Sequence, residues 1–171
     1  MASMWPSNSP RIKSFSYRGL HRYLITLATS SRLRYFAVAE DAGALASQIP
    51  PFFNARHFEV VAYCIMPDHV HLVLEGRSDD ADLRETIRVW KQVTSYEWKQ
   101  RTASPLWQPG FHDRVLREGD DARPIVRCGL YNPVRAGLVV TAADYPWSGS
   151  LRFTVAELNE SAGSWTPGWK R

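Results

Sequence analysis

The stretch 60–76, VVAYCIMPDHVHLVLEG, decides the fold. Apolar residues flank Pro67-Asp68, a pair suited to a tight link, because proline presets its own φ and an aspartate side chain can bond the backbone just beyond it. The flanking segments, His57 to Met66 and Val70 to Glu75, therefore read as two paired strands. Both are apolar on both faces, which places them in the middle of a sheet covered by helices. Successive strand side chains point to opposite faces, so His69 and His71 share one face while Val70 and Leu72 share the other. Imidazole nitrogen is the commonest protein metal ligand, and such a pair can share one ion without rearrangement. The other reading of a lone His-x-His is one half-buried imidazole and one solvent-exposed, with no common ligand.

Outward from this hairpin, HRYLITLATS (21–30) alternates as a strand. A turn follows, then a helix with Ala44, Leu45 and Ile49 on its apolar side, which is expected to stop at Pro50-Pro51. On the other side, GRSDDAD breaks the pattern, and Asp79, Asp80 or Asp82 can cap a long helix through about Gln100. Leu83, Ile87, Trp90 and Val93 lie at helical spacing in it, and Arg84, Arg88, Lys91, Ser95 and Lys99 form an adjacent stripe. That stripe is either a solvated face or a track for a phosphate backbone. SPLWQPGFHDRVLREGDD reads as a loop and a short strand. Asp120 or Asp121 then caps a helix that accepts Pro124 in its first turn and stops at Asn132-Pro133. Strand, helix, strand, strand, helix and further mixed elements predict an α+β, ferredoxin-like sandwich, with a mainly antiparallel sheet and helices on one face. Residues 1–16 are expected to be a loose arm, 17–155 one domain, and 156–171 a polar tail.

A chain of 171 residues, 44% hydrophobic and 22% charged, has the composition of one globular domain. Twenty-one Lys and Arg against 17 Asp and Glu leave a net charge of +4, a mild lean toward anionic partners. Arg is the main basic residue, and its planar fork suits phosphate. Seven Trp exceed the ordinary share, and those beside basic or turn residues can fill a core or stack on bases. Cys64 and Cys128 are too few for a disulfide framework or a zinc knuckle. The opening MASMWPSNSPRIKSF lacks the apolar centre of a signal peptide, and no stretch reaches the ~18 apolar residues of a membrane span. The expectation is a soluble, cytoplasmic protein with no membrane partner.

Three segments in order, CIMPDHVHLVLEG, SPLWQPGFHDRVLRE, and LYNPVRAGLV followed by DYPWSGS, resemble the single-tyrosine HUH transposases, most closely the branch associated with repetitive extragenic palindromes (REP). The resemblance covers about Tyr17 to Ser150. It implies an endonuclease and strand transferase that acts on single-stranded or hairpin DNA from palindromic repeats, as a monomer or homodimer, with Mg²⁺ or Mn²⁺. It also implies that His69 and His71 bind the ion, with Asn132 as a third polar ligand. Asp68 can orient an imidazole or simply serve the turn. His112 and Asp113 can position DNA or a water, or belong to an exposed turn. Arg114, Arg117 and Arg135 are candidate phosphate contacts, beside Arg84, Arg88 and Lys91 of the helical stripe.

The family's nucleophile is a tyrosine four residues before the Asn, and that position here is Cys128. Three catalytic outcomes stay open. Cys128 ends the phosphotyrosine chemistry and leaves a DNA-binding protein; or Tyr131 substitutes, about 60° around the helix from Cys128; or the Cys128 thiolate attacks, helped by neighbours such as Arg127. A purely structural reading makes Cys128 a packed small residue and Tyr131 a helix-end anchor.

Overall fold

A computed structural model describes residues 15–116 and 119–160. Arg117, most of the expected arm and the tail from 161 onward lie outside the described residues. Five strands, β1 (Arg22–Ala28), β2 (Phe58–Met66), β3 (His69–Gly76), β4 (His112–Leu116) and β5 (Ser148–Ser150), form one sheet in the order β4-β1-β3-β2-β5. Every neighbouring pair is antiparallel. With α1 (Ala39–Asn54) between β1 and β2, and α2 (Leu83–Thr102) between β3 and β4, the first four strands have the ferredoxin-like order.

Strand alternation divides the core in two. Tyr23, Ile25 and Leu27 of β1 and Val70, Leu72 and Leu74 of β3 pack against Leu45, Ile49 and Phe53 of α1 and Leu83, Ile87 and Trp90 of α2. The opposite face sets Leu24, Val61, Ala62, Val73 and Leu116 against Ile125 and Val126 of α3 (Arg123–Leu130) and Leu158 of α5 (Val155–Glu160). The expected α1/α2 layer is thus present, and α3 and α5 add cover to the second face. α5 runs across residue 155, so the buried Leu158 joins the core from beyond the boundary drawn there. Among the described residues no helix is long and apolar enough to cross a membrane.

Two helix ends differ from expectation. α1 continues through Pro50-Pro51 to Asn54. An interior proline costs about 3 kcal/mol, but Phe53, one turn beyond Ile49, is wholly buried with its ring 5.2 Å from that of Trp90. Burying such a side chain contributes about 1.5–3 kcal/mol and offsets much of that cost. α3 ends at Leu130, before the expected stop. Tyr131 sits at φ −86°, ψ 0°, and a short helix α4 (Asn132–Arg135) restarts with Pro133 in its first turn. Pro133 has no N–H to offer the preceding turn, so the hydrogen-bond ladder cannot run through it. At the start of α2 the cap is Asp82, whose Oδ1 accepts the Glu85 N–H at 3.0 Å.

Candidate functional site

Sheet register assembles the site. Thr26 of β1 stands opposite His71 of β3 on one side and His112 of β4 on the other, and His71 stands opposite Cys64 of β2. Directly opposed residues share a face, so His112, Thr26, His71 and Cys64 form one row. The adjacent rung on that face holds Ala28, His69 and Met66. This is the face that carries α3, while Val70 and Leu72 point into the α1/α2 core.

Both imidazoles are held at Nδ1. His69 Nδ1 lies 2.6 Å from Asp68 Oδ1, and His71 Nδ1 lies 2.9 Å from the Thr26 hydroxyl. Their Nε2 atoms face each other at 3.0 Å, with ring planes 83° apart. The Thr29 N–H and hydroxyl both donate to the Asp68 carbonyl, at 3.0 and 2.9 Å, which ties the end of β1 to the hairpin turn. Arg32 approaches the second oxygen of the Asp68 carboxylate at 3.6 Å.

Burial pushes the pKa of His71 well below its usual value, and the positive fields of His69, Arg135 and Arg32 add to the effect. A neutral imidazole is the state that can ligate a metal. For Asp68, burial acts upward, but the bond from His69 and the charges of His69 and Arg32 outweigh it and hold the carboxyl below its ordinary range. An ionised Asp68 makes His69 Nδ1 the donor of their 2.6 Å bond.

The two Nε2 atoms fit a divalent ion. Two ligands about 2.1 Å from an octahedral ion and at right angles to each other lie about 3.0 Å apart, and the observed separation is 3.0 Å. Among the described residues no group of three or more His, Cys, Asp or Glu gathers to hold a metal. An ion at this pair would have two imidazole positions, and its remaining positions would fall to other oxygen donors, water or a phosphate.

The turn from α3 to α4 brings together Cys128, Tyr131, Asn132 and Arg135. Arg135 Nη2 donates to the Cys128 carbonyl at 2.7 Å and also to the Asn132 side-chain oxygen. Its charge is felt at His71 and at Cys64, and α3 and α4 both pack on β2, so this turn borders the histidine face. The Arg127 guanidinium lies 5.1 Å from the centre of the Tyr131 ring, and Arg127 Nε is buried without a hydrogen-bond partner. Cys128 is half-buried. The thiol of Cys64 is pushed up to about 12, chiefly by burial, and is inert near neutrality.

The other candidates divide between the two faces of the sheet. Arg114 is opposite Leu24 and so lies on the histidine face, as does His112. Asp113 points to the other face and accepts the Tyr17 hydroxyl at 2.8 Å. Arg84, Arg88 and Lys91 belong to α2, which packs on the opposite side of the sheet from the imidazoles. Arg88 is paired with Glu85 at 2.6 Å, and Lys91 donates to the Gln108 and Gly110 carbonyls, both at 2.6 Å. Sequence reasoning passed over Thr26, Arg32 and the Arg127–Tyr131 contact. Thr26 alone left a trace, as the one small polar side chain inside the apolar strand RYLITLA.

Residues 18–115 match the family described as "Transposase IS200 like". A Haemophilus influenzae protein, provisionally named a REP-associated tyrosine transposase, is 30% identical over 113 residues, 59% of this chain and 64% of its own length. The Escherichia coli REP-associated tyrosine transposase is 28% identical over 54% of each chain. The chain thus spans between half and two thirds of these relatives. A solved REP-associated tyrosine transposase, bound to a REP hairpin, shares the fold with a TM-score of 0.66 at 21% identity, over 81% of both chains.

Proposed function

Because the chain belongs to the IS200-like transposase family, we propose that it binds single-stranded or hairpin DNA across the face of His69 and His71 and cuts and rejoins a strand there with Mg²⁺ or Mn²⁺. The convergence of the two Nε2 atoms to 3.0 Å, a spacing that two right-angle ligands of a divalent ion also have, carries this reading. The solved relative bound to a REP hairpin supports DNA as the partner. His69 and His71 hold the ion, and Asn132 stands where the resemblance to the family implies a third ligand, its side-chain oxygen accepting from Arg135. Bound there, the ion supplies positive charge to a phosphate oxygen as negative charge develops in phosphoryl transfer. Asp68 orients His69, and Arg114 and Arg135 offer guanidinium forks to flanking phosphates.

Tyr131 is the hydroxyl-bearing residue of the α3–α4 turn. Its oxygen bonds to phosphorus as the bond from phosphorus to the 3′ oxygen breaks; the phenolic proton leaves with that oxygen, and the 5′-phosphate stays on the protein until rejoining reverses the step. A second reading, DNA binding without cleavage, is favoured by Cys128 in the family's tyrosine position and by the stacking of Tyr131 on Arg127 at the helix break. Incubating the protein with labelled hairpin DNA from the repeats flanking its gene and Mn²⁺, then separating under denaturing conditions, tests both. A covalent adduct mapped to Tyr131 is the expected result. An adduct on Cys128 moves the nucleophile. Tight binding unaffected by chelator, with no adduct, refutes cleavage and establishes the second reading.

A further inference from the structure

We infer that the loop from Ser31 to Arg34 is a clamp for single-stranded DNA, in which Arg32 and Arg34 hold phosphates of the strand running past the histidine pair and Leu33 covers a base between them. The inference rests on the reading of that face as a DNA site, and it names the residues that take the strand leading away from it. Residues 30–34, SSRLR, set one leucine between two arginines. Leu33 is 50% exposed, and Arg34 is exposed beside it. A lone exposed leucine carries no meaning; the place of this one does.

The loop is pinned to the turn that carries the histidines. The Thr29 hydroxyl that bonds the Asp68 carbonyl also lies 2.7 Å from the Leu33 carbonyl, and the Phe36 N–H donates to the Pro67 carbonyl at 2.9 Å. From another side the Ser30 N–H donates to the Leu106 carbonyl at 2.8 Å. Arg32 Nη1 stands 3.6 Å from Asp68 Oδ2, so its charge sits beside the carboxylate that orients His69. Between these anchors Ser31 and Arg32 take φ of 53° and 56°, left-handed backbone that residues with side chains avoid. The Arg32 N–H reaches the Thr29 carbonyl and the Leu33 N–H the Ser30 carbonyl, both at 3.1 Å, which closes two tight turns in succession. A strained conformation persists only where its surroundings enforce it, and a loop already fixed has less freedom to lose on binding. Guanidinium forks suit phosphate oxygens, while an apolar side chain removes the face of an unpaired base from water. Charged, apolar, charged is therefore the order in which a single strand offers phosphate, base and phosphate.

Fluorescence anisotropy of the full chain, in chelator so that no strand is cut, tests the clamp with two labelled probes: a hairpin with single-stranded extensions at both ends and the same hairpin without them. The extended probe is expected to bind wild type more tightly. Arg34→Gln and Arg32→Gln are each expected to lower the slope of log affinity against log salt on that probe by about 0.7, the single-strand value for one lost phosphate contact. Leu33→Ser is expected to weaken it about three- to tenfold with the slope unchanged. Unchanged slopes in both arginine variants, a loss as large on the bare hairpin, or no gain from the extensions overturns the clamp and leaves DNA binding by the histidine face standing. Wild-type affinity in Leu33→Ser overturns the base contact. No binding of either probe by wild type overturns the DNA reading and the clamp together. Should Arg32→Gln fail to fold, Arg34→Gln, at an exposed position, decides.

Discussion

Replacing Glu75 by Gln should lower stability at neutral pH and remove part of the protein's acid sensitivity. Glu75 Oε2 accepts from Arg22 Nε at 2.7 Å and from Arg152 Nη1 at 2.7 Å, while Arg77 reaches its other oxygen at 3.0 Å. Arg152 also grips Glu59 at 2.7 Å, so the cluster joins β1, β2, β3 and the segment after β5. Burial acts to raise the Glu75 pKa, but the bonds from Arg152 and Arg22 outweigh it and pull it from 4.5 to about 2. At about 1.4 kcal/mol per pH unit that displacement corresponds to about 3 kcal/mol. The side chains of Arg22 and Arg152 are 26% and 23% exposed; solvent screening therefore brings the expected loss to about 1–3 kcal/mol. A fall of roughly 2–4 °C in melting temperature per kcal/mol follows for a chain of this size. The sign is that of a carboxyl depressed by folding: its stabilisation is complete above 4.5 and is lost as pH falls through about 2. Thermal unfolding by circular dichroism from pH 7 to below 2 should show a gap between wild type and Glu75→Gln that closes across that window. Equal melting temperatures at pH 7, or a gap that persists at the acid end, would refute the argument.

Substituting His69 or His71 by Ala should abolish Mn²⁺-dependent cleavage of hairpin DNA while circular dichroism keeps its native form; cleavage at the wild-type rate would sink the metal assignment. Cys128→Tyr restores the family residue one helical turn before Asn132, and an increase in covalent adduct is expected, whereas no increase would show that the site departs from the family elsewhere too. Gly76→Ala would put a Cβ 2.0 Å from the Gly19 carbonyl oxygen, a contact that backbone must move to relieve. Urea unfolding should show a loss above about 1 kcal/mol, and an unchanged midpoint would mean that the two segments are not held in that contact.

Local chemistry was enough to read the β2–β3 hairpin, the pairing of His69 and His71 on one face, the capping of α2 by an aspartate and the α+β order of elements. Alternation and turn preference act within a few residues, so neighbours in sequence carry that information. The departure at Cys128 was legible only through the resemblance to the family, whose tyrosine stands four residues before the Asn. Register and packing decided the rest. Thr26 reaches His71 across 45 positions of chain, and nothing near Thr26 in sequence announces that partner. Helical periodicity revealed the stripe of Arg84, Arg88 and Lys91 but carries no information about which face of the sheet the helix will cover; core packing put it opposite the imidazoles. The same burial carried α1 through two prolines, because the Phe53 side chain gains more from a core built by distant residues than the local backbone preference could indicate. The sequence alone determined which side chains share a strand face or a helix turn, since backbone geometry repeats locally; which of them meet across elements was decided by burial summed over the whole chain.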